Sequence, residues 1–279
     1  MGGPRRRFAA AALITAGAVT LATGGLAVPA QARTAPASHQ SASHQSASRQ
    51  ASHEQTAQRQ AVQRKPAPRK TLRPGAKGAE VTALQTRLTE LGYVPGKIDG
   101  RYGQDTMMAV WAFQKVQGIK PTSTVASRTW VALENPKAPR ALVPKGRQNR
   151  VEVNLTQQIM VLYRAGEPKV ISHVSSGSGI PYVEYATWNG RRQRFSGSAT
   201  TPTGDYRTTW RVSGWHRSYL GRLYNPIFFN GGIALHGALS VPLHPASHGC
   251  VRLPMPVAEI LPGLLGTGVP VHVRGRFRR

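Results

Sequence analysis

The stretch IALHGALSVPLHPASHGCVRL, residues 233–253, holds the single cysteine of a 279-residue chain. Cys250 directly follows His248 and Gly249, and His236 lies upstream at the end of a short apolar run that predicts a strand. A loop after this strand can return the chain and place the His236 imidazole beside the sulfur. A thiol becomes an effective nucleophile when an imidazole takes its proton and oriented N–H groups receive the oxyanion. The stretch therefore indicates cysteine chemistry on a β scaffold.

Two other roles for Cys250 compete with catalysis. A lone cysteine is often a small buried residue. Cys250, however, has His248, Gly249 and Arg252 nearby, and such polar or flexible neighbours are unusual for a buried cysteine. The second alternative is a zinc site, with the possible ligands His236, His244, His248 and Cys250. No carboxylate stands between Asp205 and Glu259, and no H-E-x-x-H pattern occurs. We therefore favour cysteine acyl transfer and expect neither a metal nor an organic cofactor.

The order of the motif residues narrows the family. His, then Cys, then Arg excludes the papain-like order, in which the cysteine comes first. Sortases share the order, but their Thr-Leu-x-Thr-Cys motif is absent. The stretch resembles the active-site signature of L,D-transpeptidases, which is His-Gly, a loop, and Ser-His-Gly-Cys-x-Arg. Residues 201–206, TPTGDY, and residues 150–177, RVEVNLTQQIMVLYRAGEPKVISHVSSG, are similar to two further segments of that family.

The resemblance implies a role for each residue of the motif. Cys250 would be the nucleophile and His236 its base, with the backbone carbonyl of Gly237 orienting the imidazole. His248, Gly249 and the Cys250 N–H would surround the oxyanion.

The remaining motif residues would support the substrate or the loop. Ser247 would shape the loop, and Arg252 would face the carboxylates of the substrate or hold the loop in place. Ten residues separate His236 from Ser247, a shorter loop than the commonest family pattern, which affects donor specificity more than chemistry. We expect the other histidines of this half to be structural; they are His173, His216, His244 and His272.

The family implies a reaction on peptidoglycan stem peptides. Cys250 would attack the carbonyl of the third residue of a donor tetrapeptide, release D-Ala and form a thioester. An amine of a neighbouring stem would then complete a 3-3 cross-link, whereas water as acceptor would make the protein an L,D-carboxypeptidase. A non-catalytic wall-binding protein is the alternative outside enzymes. Carbapenem-type inhibitors are expected to acylate Cys250.

Residues 71–134 have a helical pattern. Val81, Leu84, Leu88 and Leu91 recur at steps of three and four. VTALQTRLTELGYVPGKIDGRYGQDTMMAVWAFQKVQGI, residues 81–119, resembles the three-helix peptidoglycan-binding domain of wall enzymes. The turn that would contact glycan or stem peptide, if it does more than build the bundle, consists of Asp99, Gly100, Arg101 and Tyr102. Such a domain would add effective concentration at an insoluble substrate rather than catalysis.

The expected fold class is α+β with two domains. A Pro- and Lys-rich linker, residues 135–148, leads into residues 149–275, where β-branched runs predict a mostly antiparallel, β-sandwich-like catalytic domain. MPVAEILPGLL, residues 255–265, is its single helical segment. Residues 276–279 form a basic tail.

The N-terminal region predicts export. Residues 1–32 combine a basic start, an apolar Ala- and Gly-rich run and an Ala-Gln-Ala cleavage site, which is typical of a signal peptide. An uncleaved anchor is the alternative, and both Sec and twin-arginine export are compatible with the pattern. Residues 33–70 are a low-complexity spacer that we expect to be disordered. The expected location is secreted, at the cell wall.

The charge balance indicates an anionic partner. The chain has 37 Lys and Arg against 11 Asp and Glu, and loss of three arginines with the signal peptide lowers the net charge from +26 to +23. Finger, RRM and helix-turn-helix signatures are absent, so nucleic acid is not expected. The matching polyanions outside a bacterium are peptidoglycan carboxylates and anionic wall polymers.

Overall fold

The structure, a computed structural model, describes residues 69–277. The predicted signal peptide, nearly all of the predicted spacer and the last two residues of the basic tail lie outside the described residues. Over the described residues, three helices precede a domain made mostly of strands, which confirms the α+β expectation. In this part of the chain no helix has the length and apolar character needed to cross a membrane.

The three helices form a bundle around one apolar core. They are α1 Ala79–Glu90, α2 Gln104–Val116 and α3 Ser127–Glu134. The predicted apolar face of α1 is buried, since Leu84 and Leu88 are fully shielded from solvent. Gly92 follows α1 with a φ of 81°, a left-handed conformation that suits glycine after a helix end.

A buried amide organises the turn between α1 and α2. Gln85 is 1% exposed, and its Nε2 donates to Asp99 Oδ1 at 3.0 Å and to the Arg101 carbonyl at 3.1 Å. Its Oε1 accepts the backbone N–H groups of Asp99 and Gly100, at 3.1 and 2.9 Å. One side chain from α1 thus replaces the backbone partners that a regular element would supply to this turn.

Eleven strands and one helix build the second domain. The strands are β1 Arg150–Asn154, β2 Ile159–Arg164, β3 Glu167–His173, β4 Tyr182–Trp188, β5 Arg191–Gly197, β6 Gly204–Arg207, β7 Trp215–Ser218, β8 Gly221–Asn230, β9 Ile233–Gly237, β10 Val251–Leu253 and β11 Pro270–Arg274. The helix, α4, is Met255–Leu264. Five strands form one sheet in the order β3-β2-β1-β11-β6, and four form another in the order β10-β9-β8-β7. β4 and β5 form a separate hairpin.

The apolar core lies between the two larger sheets. Val151 and Val273 from the five-stranded sheet belong to the same buried cluster as Leu235 and Val251 from the four-stranded sheet, and α4 adds Leu261. Most strand pairs are antiparallel, while β1 with β11 and β9 with β10 are parallel. Since successive strand residues alternate between faces, side chains on the other face of the four-stranded sheet point away from this core and can form a site.

The helical bundle is joined to the five-stranded sheet by a shared core. Ile159, Val161 and Ile171 belong to the same buried cluster as the helix residues. The Ile171 N–H also donates to the Gly92 carbonyl at 2.8 Å. Apolar burial across a junction opposes its opening, because separation would return that surface to water.

The segment between the domains is fixed by a buried ion pair. Glu152 is 1% exposed, and its carboxylate lies 2.7 Å from Arg150 Nε. The same carboxylate accepts the backbone N–H groups of Leu142 and Val143 at 2.6 and 3.3 Å. The predicted linker is therefore held against β1 through Leu142 and Val143, near its middle.

Replacing Gln85 by leucine should destabilise the helical bundle. The change removes the acceptor of the Asp99 and Gly100 N–H groups, of which Gly100 is buried, and an unsatisfied buried group costs about 1–3 kcal/mol, so we expect a loss of about 1–3 kcal/mol in the free energy of unfolding. Urea unfolding followed by circular dichroism measures it. Gln148→Leu, at an exposed position, is the control. Equal midpoints for Gln85→Leu and wild type would contradict the assignment.

Candidate active site

The parallel pairing of β9 with β10 brings the two ends of the motif together. Arg252 is the register partner of His236, and Val251 is the partner of Leu235. Leu235 and Val251 point into the core, so alternation directs His236, Arg252 and Cys250 to the opposite face. All three of these side chains line one cleft, as the sequence predicted for His236 and Cys250.

His236 is arranged as a neutral base. Its Nδ1 lies 2.9 Å from the Gly237 carbonyl, and because a carbonyl only accepts, Nδ1 carries the proton and Nε2 is the basic nitrogen. Burial, with a smaller contribution from the charge of Arg252, lowers the pKa of His236 to about 4. The imidazole is therefore uncharged near neutral pH and able to accept a proton.

Cys250 is present as a thiol in the resting site. Burial raises its pKa, while a hydrogen bond from the Ala234 backbone and the charge of Arg252 act in the opposite direction. The Sγ lies 3.6 Å from the Gly232 carbonyl. A neutral thiol and a neutral imidazole that line one cleft correspond to general-base activation during attack rather than to a preformed thiolate and imidazolium pair.

The loop that carries the cysteine is shaped by two hydroxyl groups. The Ser247 Oγ donates to the Cys250 carbonyl and accepts the Gly249 N–H at 3.0 Å. The Thr201 Oγ1 donates to the Gly249 carbonyl at 2.6 Å. Thr201 begins the TPTGDY segment, so this segment supports the cysteine loop through the Thr201 hydroxyl.

Both glycines of the motif are required by their surroundings. Gly249 has a φ of 137°, and a Cβ there would lie 3.1 Å from the Thr200 carbonyl oxygen. A Cβ on Gly237 would lie 2.8 Å from the Ala258 Cβ on α4. Close packing against α4 thus favours glycine at position 237, in addition to the role of the Gly237 carbonyl as acceptor for His236.

The cleft, of about 730 Å³, is walled by aromatic side chains. The β4–β5 hairpin and the β7–β8 hairpin meet over it, where Phe195 stacks on Tyr219 with ring centroids 4.1 Å apart. Trp210 stacks on Phe228 at 3.6 Å along the floor. Apolar walls with a few polar groups are typical of a binding site for an extended ligand.

Glu184 is a site residue that sequence reasoning missed. Its Oε1 lies 2.8 Å from His248 Nε2, and the Tyr182 ring meets the His248 ring edge-on at 4.6 Å. This acid comes from β4, 64 residues upstream of His248 and outside the stretch between Asp205 and Glu259 that lacks carboxylates. No local pattern around Glu184 distinguishes it from other exposed strand residues. Among residues 69–277, no three His, Cys, Asp or Glu side chains converge as metal ligands.

The other histidines lie in four different settings. His216 lines the cleft and meets the Trp210 ring edge-on. His272 contacts Asp205 at 2.5 Å, away from the cleft. His244 contacts Ser175 through its backbone carbonyl, which accepts a hydrogen bond from the Ser175 hydroxyl at 2.8 Å. His173 is 1% exposed, behind the cysteine loop.

The predicted contact turn of the helical domain is only partly at the surface. Tyr102 is 2% exposed and lies in the bundle core, and Gly100 is buried against α1. For Tyr102 the burial favours the alternative that this turn only builds the bundle, because its ring fills the core. Asp99 and Arg101 are exposed and line a groove of about 500 Å³.

Two family models match the chain. Residues 148–273 match the L,D-transpeptidase catalytic domain, and residues 77–133 match a peptidoglycan-binding domain. Among solved structures, an L,D-transpeptidase from Xylanimonas cellulosilytica is similar at 36% identity and a TM-score of 0.63. That alignment covers 75% of this chain and 100% of the other.

Two curated relatives match over shorter stretches. The spore cortex-lytic enzyme of Bacillus subtilis is 47% identical over 51 residues, which are 18% of this chain and 17% of that protein. An uncharacterized protein of Kitasatospora aureofaciens is 40% identical over 58 residues, which are 20% of this chain and 49% of that protein. The chain thus spans less than half the length of either curated relative.

The rate of Cys250 acylation should stay nearly constant from neutral pH down to about pH 5.5. His236, with its pKa near 4, remains unprotonated there, whereas a histidine with the ordinary pKa of about 6.5 would lose about tenfold in its basic form. Intact-mass spectrometry with a carbapenem as acylating probe measures the rate constant. His236→Asn is the control and should be slow at every pH. An acid limb centred near pH 6.5 would contradict a buried, neutral base.

Proposed function

Because the chain belongs to the L,D-transpeptidase family, we propose that it cross-links peptidoglycan by cysteine acyl transfer. The observation that carries the proposal is the placement of His236 and Cys250 on one face of the β9–β10 pair, where both line one cleft. The neutral base and the thiol have the protonation states that such a transfer needs at its start.

The first half-reaction forms a thioester. The His236 Nε2 takes the thiol proton as the Cys250 Sγ attacks the carbonyl carbon of the third residue of a donor tetrapeptide. The tetrahedral oxyanion would be received by the Cys250 backbone N–H, since the Gly249 N–H donates to Ser247 Oγ. Its collapse breaks the bond to the terminal D-Ala, and the imidazolium returns the proton to the departing amine.

The second half-reaction transfers the acyl group. An amine of a neighbouring stem attacks the thioester and gives up a proton to His236. The Cys250 sulfur leaves as thiolate and takes that proton back, so the enzyme is regenerated and a 3-3 cross-link is formed. Water in place of the amine gives L,D-carboxypeptidase activity from the same intermediate.

Arg252 and Glu184 set the electrostatics around the reacting atoms. Arg252 stabilises negative charge on the sulfur and would receive a stem carboxylate, since it lines the cleft beside Cys250. Glu184 holds the His248 ring towards the β4–β5 hairpin through its hydrogen bond to Nε2. His248 thus connects the cysteine loop to the hairpin above it.

The helical domain is proposed to contact the wall through Asp99 and Arg101. Both are exposed in the groove between the α1–α2 turn and α4. Export by the N-terminal segment would bring the chain to this substrate, and the positive charge would favour anionic wall polymers as further partners.

Replacing Cys250 by alanine should abolish turnover. Without the thiol no thioester forms, so the variant should release no D-Ala from a disaccharide-tetrapeptide and form no dimer. Mass spectrometry measures dimers, D-Ala and the Cys250 acyl adduct of the wild-type chain. Turnover in Cys250→Ala would overturn the mechanism. D-Ala release without dimers would identify a carboxypeptidase, and an inert wild-type chain would favour a wall-binding protein.

Binding to purified cell walls should weaken with salt. Screening shortens the range of the charge attraction, so the bound fraction should fall about threefold or more between about 0.05 and 0.5 M NaCl. Co-sedimentation measures it. Arg101→Gln should bind more weakly than Lys120→Gln, an equal charge change at an exposed position outside the groove. Salt-independent binding would argue against a polyanion contribution.

A further inference from the structure

A lysine of the helical domain reaches a buried histidine of the catalytic domain. The Lys115 Nζ, near the end of α2, lies 2.8 Å from His173 Nδ1 and donates to the Gln158 carbonyl at 3.1 Å. The edge of the Trp111 ring system covers the His173 ring, with centroids 5.4 Å apart. Neither Lys115 nor His173 takes part in the proposed chemistry, so their placement needs another reason.

The hydrogen bonds of His173 determine its tautomer. Its Nε2 lies 3.1 Å from the carbonyls of both Val241 and Pro242. Carbonyls only accept, so Nε2 carries the proton, and Nδ1 is left as the acceptor for the Lys115 amine. Burial and the charge of Lys115 both lower the pKa of His173, to about 3, which keeps the ring neutral.

The two carbonyls belong to the loop between the catalytic base and the nucleophile. This loop, residues 238–249, has no regular strand or helix, so its backbone groups need partners from elsewhere. Val241 is 3% exposed, which shows that the loop is anchored where His173 contacts it. A donor at His173 Nε2 therefore holds the middle of the loop.

A second route leads from Lys115 to the other end of the loop. Gln158, whose carbonyl accepts from Lys115, is fully buried, and its Nε2 donates to the Ser176 hydroxyl at 2.9 Å. The Ser176 carbonyl in turn accepts the N–H groups of Ala246 and Ser247 at 2.9 and 3.0 Å. Ser247 is the residue that shapes the turn before Cys250, so Lys115 contacts both supports of the loop.

We propose that Lys115 and His173 are positioning residues of the active site, through which the helical domain completes the loop between His236 and Cys250. The kinetic readout of this inference rests on the proposed function, whereas the hydrogen bonds of Lys115 and His173 do not depend on it. The helical domain then contributes to the chemistry, not only to the local concentration of substrate.

The expected consequence is a defect in rate rather than in binding. Without the Lys115 donor, His173 Nδ1 becomes an unpaired buried acceptor, so a rotated ring or the other tautomer becomes favourable. Either change removes the N–H donor from the Val241 and Pro242 carbonyls. A displacement of about 1 Å at the reacting atoms can cost about a hundredfold in rate. Lys115 does not line the cleft, so substrate affinity should change little.

The test compares isosteric and conservative variants of the full chain. Lys115→Met removes the donor at nearly constant length, and Lys120→Met removes a charge at an exposed position as the matched control. His173→Leu removes both hydrogen-bonding atoms, whereas the His173→Gln amide can donate to the loop and accept from Lys115. The measurements are kcat and KM for D-Ala release, the rate of Cys250 acylation by a carbapenem, and thermal unfolding.

We expect Lys115→Met to lower kcat and the acylation rate about ten- to hundredfold, with KM within about twofold of wild type. Lys120→Met should match wild type, and His173→Gln should recover most of the rate that His173→Leu loses. A folded Lys115→Met variant with wild-type kcat and acylation rate would overturn the proposal. So would equal rates for the glutamine and leucine variants of His173.

The wild-type chain gives an independent check if Lys115→Met does not fold. In nitrogen NMR of histidine-labelled protein, His173 should be neutral, with a protonated Nε2 and an unprotonated Nδ1. Any other protonation state would overturn the proposal. If the wild-type chain acylates with carbapenem but turns over no tetrapeptide, the proposed function fails, while the acylation rates and the His173 tautomer still decide this inference.

Discussion

The parallel pairing of β9 with β10 is the constraint on which the active site depends. A parallel pair cannot be closed by a tight hairpin, so the chain must leave β9, cross over and return before β10 begins. The crossover here is an irregular loop, and its backbone groups are satisfied by side chains and carbonyls of the β3 end, by Thr201 and by His173. The register then puts Arg252 opposite His236 and brings Cys250 onto the same face. Every element that supports the loop is therefore also an element that positions the nucleophile.

Burial, more than local charge, sets the protonation states of the reacting pair. It disfavours both the imidazolium of His236 and the thiolate of Cys250, so the site rests as an uncharged pair. In the proposed mechanism, the proton moves from Cys250 to His236 only when the sulfur attacks an acyl group. Arg252 lies close enough to favour the charge that then develops on the sulfur. The two hairpins over the cleft add to this effect, because their aromatic side chains keep the site apolar.

The two domains behave as one structural unit over the described residues. A recognition domain on a flexible tether would act through effective concentration alone. Here the bundle shares an apolar core with β2 and β3, and Glu152 holds the connecting segment. Lys115 extends this junction to His173 and Gln158, which support the loop between His236 and Cys250. A wall-binding surface on the bundle is consequently held in a defined orientation relative to the cleft, with the α1–α2 turn and α4 lining the same groove.

The sequence by itself predicted the helices, several of the strands and the residues proposed to react, whereas the β4–β5 and β7–β8 hairpins were not predicted. The helical spacing in residues 81–119 predicted α1 and α2, and the order His236, Cys250, Arg252 predicted a cysteine acyl-transfer site, because periodicity and short motifs are local properties. Only the tertiary structure decided that Tyr102 is a core residue, that Glu184 meets His248, and that Lys115 meets His173. These contacts join residues 64 and 58 positions apart, and nothing near Glu184 or Lys115 in the chain marks them. The physical reason is that burial and hydrogen-bond partners depend on how elements pack, and packing brings together residues that no local pattern relates.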